Sequence, residues 1–211
     1  MSLLTTWGYT ITDGIEELPP MLSVEDFNAM TANKYAGDTR IEPNIAAASL
    51  AIRNYCGWHL YPAQACSFAE RLLNANGRTK RAGADILIQL PAAHIVGVSS
   101  VEIDGEAWTD FSCETNGLLR LFDVCPHKVT RRTEVLVRYT AGLPDGLMDA
   151  IQELIAHRVT HALVSPAGVQ AESAGGVSVT YSTNWINSAR ATALADDNKE
   201  VLAPYRLLEV F

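Results

Sequence analysis

The chain has 211 residues, of which 48% are hydrophobic and 19% charged, and 16 basic against 24 acidic residues give it a formal net charge of −8. This length is enough for one substantial domain or two small ones, and the ordinary composition excludes fibrous, collagen-like and wholly disordered proteins. The acidic balance argues against a protein that grips nucleic acid or a polybasic membrane binder.

The sequence shows no sign of membrane insertion or export. It has no apolar stretch of the ~18–20 residues needed to span a bilayer, and its N-terminus lacks the basic and apolar regions of a secretory signal. The four cysteines are widely spaced and form no CxxC pair: Cys56, Cys66, Cys113 and Cys125. This spacing predicts free thiols, so we expect the protein to be made and assembled in a reducing cytoplasm.

The N-terminal region predicts an arm followed by a short helix. The first 20 residues contain acids and no base, and they end in Pro19-Pro20, which predicts a loosely held arm over residues 1–21. Ser23, with Asp26 three positions later, resembles a capping box and predicts a helix to about Thr31.

A second helix is predicted between Pro43, which suits a first helical position, and Gly57, which suits the position after a helix end. Its larger side chains fall on one face at helical spacing: Ile45, Ala48, Ile52, Tyr55 and Cys56. Small alanine side chains cover much of the remaining surface. They either allow close packing against more than one neighbour, within the subunit or across an interface, or reflect only the helix propensity of alanine.

Residues 62–140 predict an antiparallel β module of about five strands. Asp104-Gly105 and Asn116-Gly117 are turn signals, and the connections are too short for parallel crossovers. The strand patterns lie at 86–90, 95–103, 106–108, 118–122 and 133–140.

The C-terminal third predicts a long helix over 146–164 with one apolar stripe. A flexible stretch over 168–176, a strand over 177–181 and two weak helices at 188–195 and 197–205 follow it. The predicted fold is therefore α+β, with a helical body formed by residues 22–61 and 141–211 and the β module inserted at 62–140.

The sharpest enzyme-like pattern is Glu153, His157 and His161 in the long helix. Two histidines at i and i+4 can share a metal ion, but the HExxH pattern is missing and both lie about 100–140° from the centre of the apolar stripe. We therefore expect surface or subunit-contact histidines. Arg158 falls inside the stripe, where it either extends past the stripe's edge or forms a buried or inter-subunit ion pair.

Two basic clusters, Arg78-Lys80-Arg81 and Lys128-Arg131-Arg132, lie in predicted turns of the β module. Solvated loops are the default interpretation, and contact with an acidic surface or DNA phosphates is the alternative. Cys125-Pro126-His127 lacks the surroundings of a catalytic nucleophile, and the chain has no phosphate-binding glycine motif.

Several short motifs occur in a characteristic order across residues 22–164: Ser23-Val24-Glu25-Asp26, then Ile52-Arg53-Asn54-Tyr55-Cys56-Gly57, then Leu90-Pro91 leading to Val96-Gly97-Val98-Ser99-Ser100-Val101 and Asp104-Gly105, and last Val137-Arg138-Tyr139-Thr140-Ala141-Gly142-Leu143-Pro144. In this order and spacing the chain resembles the head-tail connector (adaptor) proteins of tailed bacteriophages. It departs from that pattern in its longer acidic N-terminal arm and in Cys56, where a threonine is common.

The resemblance implies a non-enzymatic virion protein without a cofactor, assembled in the host bacterial cytoplasm. It implies a ring of about a dozen copies, in head-to-tail contact, that joins the portal to tail-completion proteins while DNA passes through the lumen. We expect subunit contacts at Arg53, His157, Arg158 and His161, and partner docking near Tyr205 and Arg206. A metal-dependent hydrolase using Glu153, His157 and His161 is the alternative function, and a monomeric DNA-binding module is a third.

Overall fold

The computed structural model describes residues 3–72, 78–124, 132–164, 171–174, 177–180 and 196–207. Helices and antiparallel strands occupy separate stretches of this part of the chain, so the predicted α+β class is confirmed. The predicted helix at 188–195, Cys125-Pro126-His127 and the basic residues Lys128 and Arg131 lie outside the described residues.

The chain divides into two compact units that do not follow the predicted domain limits. Unit 1 comprises Met1–Leu18, Cys56–Pro144 and Tyr205–Phe211, and unit 2 comprises Pro19–Tyr55 and Asp145–Pro204. Unit 1 therefore contains both the β module and the segment expected to be an arm. The chain returns from unit 2 to unit 1 after Pro204, which lies inside the predicted helical body.

Unit 1 contains two antiparallel sheets. Their strands, in chain order, are β1 (Leu3–Leu4), β2 (Thr10–Ile11), β3 (Gln64–Arg71), β4 (Thr79–Ala82), β5 (Asp85–Gln89), β6 (Ile95–Ile103), β7 (Glu106–Ala107), β8 (Phe111–Cys113), β9 (Leu118–Leu121) and β10 (Glu134–Ala141). The six-stranded sheet has the order β1-β2-β3-β10-β6-β7, and the four-stranded sheet has the order β4-β5-β9-β8. Eight of these strands lie within 62–140, compared with the five or so expected.

The central strand β10 shows why this sheet forms. Its residues alternate between buried and accessible positions, so Val135, Val137 and Tyr139 point into the core while Glu134 and Arg138 do not. β10 pairs with β3 on one side and β6 on the other, with Val137 opposite both Phe68 and Val101. Asp104 and Gly105 adopt positive φ at the β6–β7 turn, as the hairpin signal predicts.

The N-terminal segment is part of unit 1 and is not a loosely held arm. Strand β2 pairs with β3, placing Thr10 opposite Ser67 and Ile11 opposite Cys66. Tyr9 and Ile11 are only 2% and 0% exposed. This burial depends on pairing with a strand more than fifty residues away, which the acidic composition of the segment does not reveal.

Unit 2 contains the helices α1 (Val24–Met30), α2 (Ile41–Cys56), α3 (Asp149–Val164) and α4 (Asp196–Leu202). Ser23 is the N-cap of α1 as predicted, because its hydroxyl accepts a hydrogen bond from the Asp26 N–H at 3.0 Å. A single 3₁₀ turn, Asp145–Leu147, precedes α3, so the long helix starts later than predicted. Helix α2 ends at Cys56, and Gly57 follows with a φ of +79°, which glycine adopts without steric cost.

Unit 2 also contains the two-stranded pair β11 (Ala171–Ala174) and β12 (Val177–Thr180). The strand predicted at 177–181 is thus present, and part of the stretch expected to be flexible forms its partner. Across the part of the chain that the structure describes, no helix combines the length and apolar character that crossing a bilayer requires.

Candidate functional site

The Glu153, His157 and His161 triplet lies along one side of α3. Glu153 and His161 are eight positions apart in the helix, which corresponds to a rise of about 12 Å along its axis. The three side chains therefore do not converge as metal ligands do. Glu153 and His157 are exposed and His161 is half-buried. Partial burial, with His157 nearby, lowers the pKa of His161. Within the described ranges, no group of three His, Cys, Asp or Glu side chains is arranged to hold a metal ion.

Arg158 lies on α3 between the buried residues Leu154 and Val159 and the more accessible side of the helix. Its side chain is partly buried, and this burial lowers the pKa of the guanidinium from its usual value. The position agrees with the sequence pattern, which placed it inside the apolar stripe. Its expected role in subunit contacts stays a prediction.

Arg53 forms a hydrogen bond within unit 2. The side chain is 3% exposed, and its Nη2 donates a hydrogen bond to the Pro19 carbonyl at 2.7 Å. A guanidinium held in this way fixes the segment before α1 to the last turn of α2. Because the side chain is buried within the chain, it offers little surface to a neighbouring subunit, contrary to the expected role.

The exposed apolar residues are concentrated in unit 2. Of the eight large hydrophobic side chains that are exposed in the described part of the chain, six belong to unit 2: Val24, Met30, Leu50, Leu147, Val164 and Val201. Isolated exposed hydrophobic residues are normal on protein surfaces, but their number here singles out the helical unit.

Beyond its first turn, where Glu42 is exposed, the outer face of helix α2 carries no charge. Residues at spacings of three and four form this stripe, and all are exposed: Pro43, Ala46, Ala47, Leu50 and Asn54. Leu50 at the centre of the stripe is 55% exposed. The opposite face is buried and contains Ile45, Ile52 and Cys56. An amphipathic surface helix normally presents charged residues to water, so α2 has a second packing surface that its own unit does not use.

The predicted docking residues Tyr205 and Arg206 lie in a short segment of unit 1. The Tyr205 carbonyl accepts a hydrogen bond from the Trp58 Nε1–H at 2.8 Å. The Leu207 N–H donates to the Cys56 carbonyl at 2.8 Å. We call Tyr205, Arg206 and Leu207 the C-terminal strap. Arg206 is exposed and the other two residues are half-buried, so the strap lies at the surface of the unit.

The structure also contains a buried polar network that the sequence pattern did not indicate. His59 is 0% exposed, with Nδ1 2.7 Å from the Tyr9 hydroxyl and Nε2 2.8 Å from the Ala141 carbonyl. A carbonyl only accepts, so Nε2 carries the proton in this assignment and the Tyr9 hydroxyl donates to Nδ1. Within unit 1 the network joins the N-terminal segment, the segment after α2 and the end of β10.

The cysteines in the described ranges are free. Cys56 and Cys66 are fully buried, and burial raises the pKa of each thiol to about 12. Burial raises the pKa of Cys113 to about 11. The thiolate is the reactive form, so these raised pKa values lower the reactivity of the thiols near neutral pH.

The basic cluster at Arg78, Lys80 and Arg81 lies at β4, an edge strand of the four-stranded sheet. The Arg78 N–H donates to Glu70 Oε1 at 2.8 Å, and Arg81 Nε donates to the Gly83 carbonyl at 3.2 Å. Charged residues on an edge strand oppose unwanted pairing with other chains. The cluster therefore has a structural explanation that needs no nucleic acid.

Two surfaces thus stand out, the uncharged face of α2 and the C-terminal strap. Among known proteins, neither a protein-family model nor a curated protein matches this chain.

Proposed function

We propose that this chain is a non-enzymatic subunit of a bacteriophage head-tail connector. In this role about a dozen copies form a ring in the virion between the portal and tail-completion proteins, and DNA passes through the lumen of the ring. The sequence resemblance over residues 22–164 supports the proposal. The structural observation that carries it is the uncharged, exposed face of α2.

The α2 face fits a protein contact in both shape and chemistry. Ala46 and Ala47 lack long side chains, so another backbone can approach the helix closely. Leu50 offers an apolar anchor, and because it is 55% exposed, burying the rest of it contributes roughly half of the about 1.5–3 kcal/mol for a fully exposed leucine. Apart from Glu42 in the first turn, no charge has to be desolvated along the stripe, which lowers a cost that often opposes association.

A ring requires two different surfaces on each subunit, since head-to-tail contacts are heterologous. The exposed apolar residues of unit 2 are distributed over all four of its helices, from Val24 and Met30 on α1 to Val201 on α4. This distribution offers more than one contact surface on the same unit.

The charge of the chain suits a DNA passage. A formal net charge of −8 repels phosphates within the Debye length of about 8–10 Å, so DNA slides past and is not held. A monomeric DNA-binding module would need the opposite balance.

The test is to mix the purified chain with its cognate portal protein and image the product by electron microscopy. The account expects a stoichiometric ring on the portal. Ala47→Arg places a charge on the α2 face and should prevent the ring, with the circular dichroism of the subunit unchanged. Ala107→Arg is the matched control, because Ala107 is exposed on β7 of unit 1, next to Glu106 and opposite Glu102, and should tolerate a cation.

A portal that stays bare with the native chain overturns the proposal. A ring that forms equally well with Ala47→Arg and Ala107→Arg would show that the α2 face is not part of the ring contact. The hydrolase alternative makes a different prediction: a metal-dependent activity lost in His157→Ala while assembly persists.

A further inference from the structure

Strand β4 is the longest edge strand among the described sheets of unit 1. The four-stranded sheet has the order β4-β5-β9-β8, so β4 pairs with β5 on one side and with no described strand on the other. The other edge strands are shorter, with two residues in β1 and in β7 and three in β8, whereas β4 has four. An unpaired edge of this kind is a template to which a further strand can add.

The hydrogen bonds of the β4–β5 hairpin show which main-chain groups face the open edge. The Gln89 N–H donates to the Arg78 carbonyl at 2.7 Å, so these two residues form a hydrogen-bonded pair. Hydrogen-bonded and non-hydrogen-bonded pairs alternate along antiparallel strands. The main chain of Lys80 therefore bonds to β5, whereas Thr79 and Arg81 direct their N–H and C=O groups away from it. Among the described residues, no main-chain partner meets these groups.

The side chains of the same two residues also lack partners. Thr79 and Arg81 lie opposite Ile88 and Ile86, on the buried face of the sheet. Thr79 Oγ1 and Arg81 Nη2 are buried atoms that have no hydrogen-bond partner in the described part of the chain. Arg81 Nε donates to the Gly83 carbonyl at 3.2 Å, which holds the guanidinium near the edge. A buried donor without an acceptor is costly, and a carboxylate is the strongest acceptor for a guanidinium.

An added strand would meet both needs at once. Beside β4 it would bond to the free main-chain groups of Thr79 and Arg81, and its neighbouring side chains would lie on the same face as theirs. A carboxylate at that position supplies the acceptor that Arg81 Nη2 lacks, once the half-buried side chain turns towards the new strand. The next residue of the added strand would lie on the other face, beside the exposed Lys80.

The charge of this edge selects an acidic strand. Arg78, Lys80 and Arg81 place three cations within four positions of a chain whose formal net charge is −8. Cations on an edge strand oppose pairing with neutral or basic strands, whereas opposite charges across a strand pair stabilise it. A second copy of β4 would place cations against cations, so the edge does not pair with itself. The cluster therefore favours one class of partner over the others.

We propose that the β4 edge is a docking site for an extended acidic segment of another protein, which adds to the four-stranded sheet with a glutamate or aspartate beside Arg81. The inference does not depend on the ring, because every group that it uses belongs to unit 1. The docking site and the α2 face share no residue, so either proposal can fail without the other.

Hydrogen exchange of the ¹⁵N-labelled chain tests the docking site residue by residue. The probe is the capped peptide Thr-Val-Glu-Glu-Val-Thr, whose palindromic order presents the same side chains in either strand direction. In the free chain the N–H groups of Thr79 and Arg81 should exchange fast and those of Lys80 and Ala82 slowly, because only the latter bond to β5. With peptide at about ten times its dissociation constant, exchange at Thr79 and Arg81 should slow about tenfold. Exchange at Lys80 and Ala82 should change less.

Matched peptides separate charge from general strand pairing. Replacing both glutamates by serine should weaken the protection of Thr79 and Arg81, and replacing them by lysine should abolish it. Equal protection by the serine and glutamate peptides would overturn the acidic partner. A DNA duplex that shifts the NMR signals of β4 when the glutamate peptide does not would assign the cluster to nucleic acid and would also overturn the proposal.

Variants of Arg81 test the residue on which the specificity depends. Arg81→Glu should abolish binding of the glutamate peptide, and Arg81→Gln, a milder change if the first variant fails to fold, should weaken it. Lys34→Glu is the matched control, because it makes the same change in charge at an exposed residue of unit 2 and should bind the peptide as the native chain does. Unchanged binding by the folded Arg81 variants, or an equal loss in Lys34→Glu, contradicts the role of Arg81.

The free chain can also overturn the proposal. If Thr79 and Arg81 already exchange as slowly as Lys80, the edge is filled within the chain. If their protection rises with protein concentration, a second copy fills the edge. If the glutamate peptide gives no protection at its highest soluble concentration, the docking site is wrong. The formation of a ring on the portal is measured separately, so none of these results decides the proposed function.

Discussion

The two units differ in the number of large hydrophobic side chains that they expose to solvent. Unit 1 places ion pairs across neighbouring strands, Asp85 with Arg120 and Glu102 with Arg138. In the described residues it exposes only two large hydrophobic side chains, Leu4 and Val96, whereas unit 2 exposes six. Under the proposed function, the β unit, with few exposed apolar side chains, is the scaffold, and the helical unit, with several, is the assembly surface.

The largest effect that we expect concerns the thiols and tests how well unit 1 is closed. Burial raises the pKa of Cys66 from 9.0 to about 12, so at pH 8 its thiolate fraction is about a thousandfold below that of an ordinary thiol. Alkylation of Cys66 in the native protein should be slower by about this factor and rise with pH towards 12. Site-resolved mass spectrometry after iodoacetamide treatment measures it, with the urea-unfolded chain as control. Rapid labelling at pH 8 would show that unit 1 opens readily.

Phe27→Ala should destabilise unit 2 by about 3–5 kcal/mol. The side chain is 0% exposed, and removing a buried aromatic ring forfeits burial and leaves a cavity. Urea denaturation followed by circular dichroism gives the loss in free energy of unfolding. Ala29→Gly, an exposed change on the same helix, is the control for lost helix propensity. A loss below about 1 kcal/mol contradicts the packing of α1 described above.

His59→Phe should destabilise unit 1 by about 1–3 kcal/mol. The phenyl ring fills similar space but leaves the Ala141 carbonyl without its donor and the Tyr9 hydroxyl without its acceptor. Tyr9→Phe together with His59→Phe should cost less than the sum of the two single changes, because the two side chains share one hydrogen bond. Additive losses from the same thermal or urea measurements would refute this coupling.

Leu50→Ser should change the free energy of unfolding by no more than about 0.5 kcal/mol, because the side chain is 55% exposed. The same variant should weaken ring assembly strongly. Val96→Ser in unit 1, at a site that is 61% exposed, should affect neither quantity to a comparable extent. If both variants assemble into rings equally well, the proposed difference between the surfaces of the two units is wrong.

Elements with a local signal could be predicted from the sequence. The Ser23 cap, the Asp104-Gly105 turn and the alternation along β10 each depend on residues a few positions apart, and the structure has all of them. Strands β3 and β4 carry no such signal. The inward positions of β3 include Gln64, Cys66 and Glu70, and β4 contains Lys80 and Arg81, so neither reads as apolar alternation.

The remaining differences come from contacts distant in the sequence. Arg53 is buried because a carbonyl 34 residues earlier accepts its guanidinium. Tyr9 is buried because His59 lies 50 residues later. The uncharged stripe on α2 was visible as alanine content, but only the structure shows which alanines face outward. The strap was noticed through Tyr205 and Arg206, whereas its partners Trp58 and Cys56 carry no sequence signal for the contact.

The most direct test of the central claim is an electron cryo-microscopy reconstruction of the native chain bound to its cognate portal. The account predicts a closed ring in which the α2 face, from Pro43 to Leu50, is buried against a neighbouring protein. A reconstruction with no ring, or one in which this face remains exposed to solvent on every copy, would contradict it.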